Sequence, residues 1–527
     1  MKKTKKIMLT GLACCFYVSG LFAGGLLSNT NQSVHFLRNP ARGASFEIDA
    51  VYTNPAGLAR LDNGLHFSLN NQSAFQTRTI TSTFAPFAGF GGNETKTFEG
   101  KASALAIPSL MFAYKKDWGA ISGYVGVIGG GGKLTFDNGL PSFEAPISMI
   151  PVQLRGSGLP TTQYAVDAYF EGSSYIFAGQ LGGTFALGEM VSVYAGARIN
   201  MASNNYVGHL KGISVNPTHP SLNPTGQMML ANTFFDNAKQ TAQGAAASLQ
   251  PAINGGAGEF TLNQMVAAGQ MTQAQVDQLA GGLGLTPQAA GAMQVIQVQG
   301  AYNQAAATFE ASANQTTDKN VDCSQSGMGI TPILGLNLNF DKLNIGVKYE
   351  FLTRMDIEND TKVDDTGQFA DGVKTPNDIP ALLTVGAQYE IIPGVTVSAG
   401  YHHFFDSNAK MANDKQKHIN GGINEFLLGA EWKLNKMFLV SAGGQITRTG
   451  VTDPYQADMS FSLNSYSVGF GGAINVSESV RINVAYFFTN YEDWTKQSNT
   501  YANLPLPGVD TFSRTNKAFG IGVDFRF

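Results

Sequence analysis

Little of this chain is charged. Asp, Glu, Lys and Arg make up 14% of its 527 residues, against about 25% in ordinary soluble domains. Cysteine is scarcer still, with Cys14, Cys15 and Cys323 alone. The first two fall in an N-terminal leader, so the mature chain keeps one thiol and cannot close an internal disulfide. Past residue 23 no apolar run reaches the roughly 18 residues that a transmembrane helix needs. A positive excess is also missing. The formal charge is −4, and removing the four leader lysines takes it to −8, which speaks against a nucleic-acid partner. What is plentiful is glycine (61), phenylalanine (35) and tyrosine (18), in a chain 43% hydrophobic whose mean hydropathy is nevertheless −0.06. The glycines follow no three-residue period, so the chain is not collagen-like. It is also too apolar for extended disorder. A membrane β-barrel reconciles these facts, because it spends its apolar residues on every second position.

The leader is expected over residues 1–23. Lys2, Lys3, Lys5 and Lys6 precede a short apolar stretch from Ile7 to Leu21, and Phe22-Ala23 offers a cleavage point. Residues 24–61 do not alternate. They interleave Asn, Ser and Arg with Phe36, Leu37, Phe46 and Ile48 and end in turn punctuation at Asn54-Pro55-Ala56-Gly57. From Leu65 onward period-2 alternation dominates. Val191, Val193, Ala195, Ala197 and Ile199 alternate with Ser192, Tyr194, Gly196 and Arg198, and the terminus alternates Phe519, Ile521, Val523, Phe525 and Phe527 with small or charged neighbours. Fourteen such segments are expected, near 64–78, 101–115, 118–130, 173–186, 190–206, 327–340, 342–356, 379–391, 394–407, 422–434, 436–449, 462–476, 478–491 and 514–527. Their connections alternate strictly between short and long, as an outer-membrane barrel requires and a soluble sandwich does not.

One connection, 207–326, stands apart. From Asn216 to Asp322 it carries eight charged side chains and is rich in Ala, Gln and Met. Thr261 with Gln264 and Thr272 with Gln275 fit helix capping boxes, and Thr286-Pro287 fits a third helix start bearing Val295, Val298, Tyr302, Ala306 and Phe309 on one stripe. A helical insert with a buried apolar face is expected. Motifs for chemistry are sparse. Gly129-Gly130-Gly131-Gly132-Lys133 lacks the Ser/Thr and the leading Gly of a phosphate loop. His402 and His403 are adjacent on a strand and point to opposite faces. No metal site, cofactor or catalytic set is picked out. Pro108 and Pro332 each remove a ladder donor from a strand, and Gly123, Gly126, Gly129 and Gly130 crowd the third strand. These features fit either a loop-side bulge or a gap in the barrel wall.

Arg42-Gly-Ala-Ser45 and Asp49-Ala-Val-Tyr-Thr-Asn-Pro-Ala-Gly-Leu58 resemble the N-terminal signature of the FadL/TodX family of outer-membrane transporters for long-chain fatty acids and other hydrophobic compounds. Asp378 to Tyr389, Thr396 to Tyr401 and the strand from Gly327 to Phe340 resemble later family strands, and Phe525-Arg-Phe527 resembles the terminal signal read by the barrel assembly machinery. The resemblance spans the mature chain outside 207–326. It implies an all-β membrane protein. Its fourteen-stranded antiparallel barrel (62–527) would be plugged by a hatch (24–61) anchored through Asn54, Pro55 and Ala56, with the 207–326 insert outside the cell. It implies uptake of hydrophobic molecules by facilitated diffusion, through loop capture, an apolar luminal pocket, hatch rearrangement and lateral exit, with Gly123, Gly126, Gly129 and Gly130 marking the exit. Met228, Met229, Leu230, Phe234 and Phe235 are candidates for capture, and Arg198 and Lys348 for a ligand carboxylate. The expected setting is the outer membrane of a Gram-negative bacterium. There the protein would be a monomer among lipid and lipopolysaccharide, needing no cofactor. Two alternatives stay open: a surface protein whose helical loop binds a partner, and a membrane-barrel enzyme.

Overall fold

The computed structural model describes residues 28–527; the expected leader and the first residues of the expected hatch lie outside them. Fourteen antiparallel strands close into a barrel. They are β1 (Gly64–Thr83), β2 (Thr95–Lys116), β3 (Gly119–Phe136), β4 (Tyr164–Leu187), β5 (Val191–Val215), β6 (Lys319–Phe340), β7 (Leu343–Glu350), β8 (Leu382–Ile392), β9 (Val395–Phe404), β10 (Ile423–Lys433), β11 (Phe438–Arg448), β12 (Ser465–Asn475), β13 (Val480–Tyr491) and β14 (Gly508–Arg526). Each pairs with its chain neighbour, and β14 returns to β1 from His66–Arg526 to Thr83–Val509, so the sheet has no free edge. Short ladders at Met229–Leu230, Asp356–Asp364, Lys374–Pro376 and Trp494–Ser498 extend the long-loop rim.

The alternation sorts the side chains by solvent. On β12 Ser465 and Ser467 are buried inward while Tyr466, Val468 and Phe470 are exposed outward, and β10 exposes Phe426, Leu428 and Trp432 in the same way. Leu428 is 66% exposed and Phe470 52%. Large apolar side chains presented around a whole barrel are tenable only in hydrocarbon, so this surface is built for a lipid bilayer. The other rim is formed by tight turns. One centres on Asp341 at φ 53° and another on Gly394 at φ 84°.

The strands match the expected fourteen in number and order, but several run further. β4 and β5 contain 24 and 25 residues, where crossing a bilayer takes about 9–11. Their ends stand beyond the hydrocarbon, both faces meet water or loops, and alternation fades there. For this reason the expected starts at 101, 173 and 327 fall at 95, 164 and 319. In the opposite sense, the segment expected over 342–356 stops at Glu350, and the chain pairs with β6 again only from Glu358, opposite Ser326.

Inside the barrel lie two short helices, α1 (Val34–Arg38) and α2 (Ala50–Thr53), and a 3-10 turn at Pro55–Arg60. Between β3 and β4 a helix that alternation did not foretell, α3 (Pro141–Gly156), buries Phe143, Ile147, Ile150 and Leu154. The insert between β5 and β6 holds α4 (Ala231–Ala252), α5 (Leu262–Ala267), α6 (Gln273–Gly282), α7 (Pro287–Gly291) and α8 (Val295–Gln315). Both capping boxes form, at Thr261–Gln264 and Thr272–Gln275. The helix begun at Pro287 ends at Gly291, and α8 starts afresh after Gln294. Its stripe of Val295, Val298, Tyr302 and Ala306 is buried against Ala242, Leu249, Val276 and Leu279. The long helix α4 has no side-chain cap, so its start carries none of the signal that marks α5 and α6.

Candidate ligand path through the barrel

The N-terminal segment rests directly on the wall because the wall has glycine where it touches. A Cβ on Gly469 would stand 2.1 Å from the Leu37 carbonyl oxygen, on Gly429 2.0 Å from Asn39 Oδ1, and on Gly346 2.2 Å from the Gly43 carbonyl oxygen. Much of the glycine excess is therefore clearance for this segment. Asn54, Pro55 and Ala56 form its most regular attachment. Asn54 Nδ2 donates to the Leu336 carbonyl at 3.1 Å, Thr184 Oγ1 donates to the Pro55 carbonyl at 2.7 Å, and Ser192 Oγ to the Ala56 carbonyl at 2.7 Å. Pro55 can open the 3-10 turn because no N–H is needed at that position. Three consecutive residues thus grip β4, β5 and β6.

Charge completes the attachment. Arg42 donates from Nε to Asp49 Oδ2 at 2.7 Å and from a terminal nitrogen to Glu47 at 2.7 Å, while Arg481 of β13 reaches the other Glu47 oxygen at 2.7 Å. Arg38 hydrogen-bonds Glu431 of β10 and Ser441 of β11. Burial pushes the Asp49 carboxyl up, and the Arg42 guanidinium more than offsets it, leaving the group below its ordinary value. Burial acts likewise on Glu47, against Arg481 and Arg42, and its carboxyl ends well below the ordinary range. His35, Glu47 and Asp49 bring ligand-type atoms within 4.8 Å of one another. The cations that serve these carboxylates are the arginines.

On the long-loop side of the segment lies a cavity of about 230 Å³, floored by Ser28, Asn29, Thr30 and Asn31. Its walls mix Phe36, Phe170, Phe461, Leu463 and Phe487 with Ser465, Ser467 and Thr489. It also reaches Gly130, Gly132 and Leu134 of β3, where the wall is incomplete. The β2–β3 ladder runs from Lys116–Gly119 to Ser109–Gly126 and resumes at Ala102–Leu134; between these points residues 103–108 and 127–133 have no partner across the seam. Pro108 is the last β2 residue of this interval. On its far side β2 is bulged against β1 between Gln72 and Ala74, and β3 shifts register against β4 twice between Val127 and Gly132. Gly130, at φ 96°, lies where a Cβ would stand 2.1 Å from the Ser174 carbonyl oxygen. A backbone left unpaired at membrane depth is tolerated only where it is covered or lines a cavity, and this interval lines one.

The residues singled out from sequence fall in different places. Gly129 and Gly130 lie in the unpaired interval, Gly126 is the last ladder residue before it, and Gly123 pairs regularly with Phe112. Arg198 and Lys348 do face inward, but neither lines the cavity. Both bind Glu350, Lys348 at 2.6 Å, and Lys348 also donates to the Tyr52 carbonyl at 2.8 Å. Their charges lie 5.4 and 5.0 Å from the centre of the Tyr52 ring. They tie the N-terminal segment to the wall, and their shared carboxylate, far away in sequence from Arg198, could not be foreseen. Phe234 and Phe235 are buried at the start of α4, whereas Met228 and Leu230 stay exposed. His402 hydrogen-bonds Glu425 at 2.8 Å and His403 separately meets Asn424 at 2.9 Å. The four-glycine run belongs to β3, not to a strand-to-helix phosphate loop.

No family model matches the sequence and no curated protein matches it. Solved structures do. A Pseudomonas aeruginosa FadL homologue superposes with TM-score 0.56 at 12% identity, covering 95% of this chain and 100% of that one. The deltaS2S3 mutant of the TodX monoaromatic hydrocarbon channel follows with TM-score 0.50 at 14% identity, over 94% and 99%. The Pseudomonas putida toluene transporter TodX gives TM-score 0.49 at 14% identity, over 96% and 100%. The chain has the FadL-type barrel fold, and at these identities the likeness concerns the fold.

Proposed function

We propose that this chain is an outer-membrane channel of a Gram-negative bacterium that takes up hydrophobic molecules, such as long-chain fatty acids, by facilitated diffusion. The single observation that carries the reading is the meeting of three features at one place: a lumen stoppered by the N-terminal segment, a partly apolar cavity above the stopper, and a cavity wall whose β2–β3 ladder is missing. A water-filled porin gives an apolar solute no favourable stopping point. An apolar lining supplies about 25 cal/mol per Å² of buried ligand surface, and an interrupted wall offers a way into the bilayer that avoids crossing water. Residues 24–61 act as the hatch, with Asn54, Pro55 and Ala56 as its anchor to the barrel wall, and Gly129 and Gly130 belong to the lateral exit. Met228, Met229 and Leu230 are the first contacts outside. The leader is removed on export, the assembly machinery reads Phe527, and the mature barrel works as a monomer among lipid and lipopolysaccharide. No chemistry is done on the cargo. The test is initial uptake of labelled hexadecanoate and of labelled toluene, at low concentration, by cells with no other outer-membrane route for them. Expression of this chain should raise at least one rate severalfold, and equal rates with and without it would overturn the proposal.

A further inference from the structure

The sheet closes on itself, but at the long-loop rim it reopens, because β3 leaves before its neighbours do. The β2–β3 register ends at Gly100–Phe136 and the β3–β4 register at Phe136–Phe170. Yet β2 runs on against β1 as far as Thr95–Thr83, and β4 runs on against β5 as far as Tyr164–Val215. The cause is local. The Gly139 N–H, at φ 68°, turns back to the Phe136 carbonyl at 3.2 Å, and Pro141 then opens α3. Residues 95–99 and 164–169 are thus left on either side of a missing strand, each with a ladder on one side only. Strands two places apart in a sheet are separated by about 9–10 Å, which is the room one extended chain takes. A cavity of about 450 Å³ fills that place, lined by residues 95–98 of β2 and 166–168 of β4.

The slot has two unlike sides. Inward lie the buried Phe98 and Ala168, backed by the Lys96–Glu144 ion pair. The Lys96 ammonium lies 4.6 Å from the centre of the Phe90 ring, and the Tyr164 hydroxyl donates to Glu144 at 2.6 Å. Outward lie Thr95, Thr97, Asp137 and Asp167, all exposed. Among the described residues that line the slot the only Lys or Arg is Lys96, and it is taken by Glu144. His209 lies 3.4 Å from Asp167; Asp137 has no such neighbour among the ion pairs of the described residues. The strands around the slot carry charged outward side chains, Glu99 and Lys101 among them, so this part of the wall stands beyond the hydrocarbon and is reached from water.

We propose that the slot receives a short extended segment of a polypeptide outside the cell, which takes the place β3 vacates and pairs with both β2 and β4. Strand addition of this kind draws its affinity from main-chain hydrogen bonds and its specificity from alternate side chains. Here two ladders form at once, so a segment of four or five residues occupies both edges, which are otherwise open to any passing chain. Successive side chains of a strand point to opposite faces. The segment that fits therefore alternates apolar residues, set against Phe98 and Ala168, with basic residues, set beside Asp137 and Asp167. The proposal concerns the outer rim and does not depend on what the barrel transports.

The full-length folded protein in detergent is titrated with the end-blocked peptide Val-Lys-Val-Lys-Val, and backbone hydrogen exchange is followed by mass spectrometry. Protection should rise over residues 95–99 and 164–169 and stay as it was in the paired strands below Phe136. Val-Glu-Val-Glu-Val should bind at least about fivefold more weakly, and that difference should vanish in D137N/D167N, whose heat-dependent gel mobility reports a folded barrel. Val-Lys-Pro-Lys-Val lacks the central ladder donor and should protect neither edge. No protection by Val-Lys-Val-Lys-Val up to ~1 mM, equal protection by the proline peptide, or a preference for Lys over Glu that survives in D137N/D167N overturns the proposal. Protection of the two edges that rises with protein concentration in the absence of peptide also overturns it, since the occupant is then a second copy of this chain.

Discussion

If cargo leaves through the β2–β3 interval, stitching the interval shut must stop it. Gly132 and Ala104 face each other across the seam, and a Cβ built on Gly132 would lie 3.9 Å from the Ala104 Cβ, within the about 3.5–4.5 Å that a disulfide uses. The variant is Ala104→Cys with Gly132→Cys, made with Cys323→Ala so that no third thiol competes. Gly132 has φ 72°, so a side chain there costs about 1–2 kcal/mol. Closing the loop from 104 to 132 returns about 3–4 kcal/mol on the loop-entropy account, and the oxidised barrel should be at least as stable as the wild type. The bridge holds the two strands near their present separation and replaces no residue of the N-terminal segment; Gly132 also lines the cavity, so the reduced form of the same variant is the control. Oxidation should lower uptake of labelled hexadecanoate about tenfold or more, equivalent to at least ~1.4 kcal/mol on the barrier. Reductant should restore it, with ligand binding by the same samples unchanged. Bridged protein that transports as fast as reduced protein would refute the lateral route.

Three further outcomes follow from the seating of the N-terminal segment. Gly346→Ala puts a methyl group against the Gly43 carbonyl and the Asn54 amide; it should weaken docking by about 1–3 kcal/mol, seen as faster proteolysis of the N-terminus in the folded barrel. Arg42→Ala strands the fully buried Asp49 and should cost about 3–5 kcal/mol, read as increased leakage of small polar solutes through the barrel. Acidification should loosen the same contact. The Asp49 and Glu47 carboxyls titrate below their ordinary values, so their contribution is present above the unfolded value of about 4 and is lost as the pH falls through the lower folded values. The protection of residues 34–54 against hydrogen exchange, taken relative to the intrinsic rate at each pH, should therefore fall below about pH 4 and stay flat from there to neutrality.

Where the sequence was legible, the signal was local. Ser465, Tyr466, Ser467 and Val468 declare an inward and an outward face without reference to any other strand, and the lone Asp341 between two alternating runs declares a tight turn. The capping boxes at Thr261 and Thr272 are equally self-contained. Where it was illegible, the signal was relational. The ends of β4 and β5 lose their alternation because both faces leave the bilayer. Helix α3, carrying Pro146 and Pro151, reads as a loop until Phe170 and Tyr206 give its apolar side something to cover. Arg198 looks like a free luminal cation until Glu350 is brought beside it.

By itself, then, the sequence determined a fourteen-stranded membrane barrel, its short-turn and long-loop rims, an irregular N-terminal segment and helical segments in one loop. Each of these is a property of a stretch of chain, written in period, turn residues and length. Register and closure decided the rest. Only closure sets Arg78 opposite Arg514, near the two ends of the chain, and only register reveals that 103–108 and 127–133 fail to meet. The glycines divide the same way: their number was plain from composition, but that Gly346, Gly429 and Gly469 are clearance for a plug while Gly130 borders an opening depends on which backbone passes within a Cβ's reach, and that is settled by the packing of distant segments.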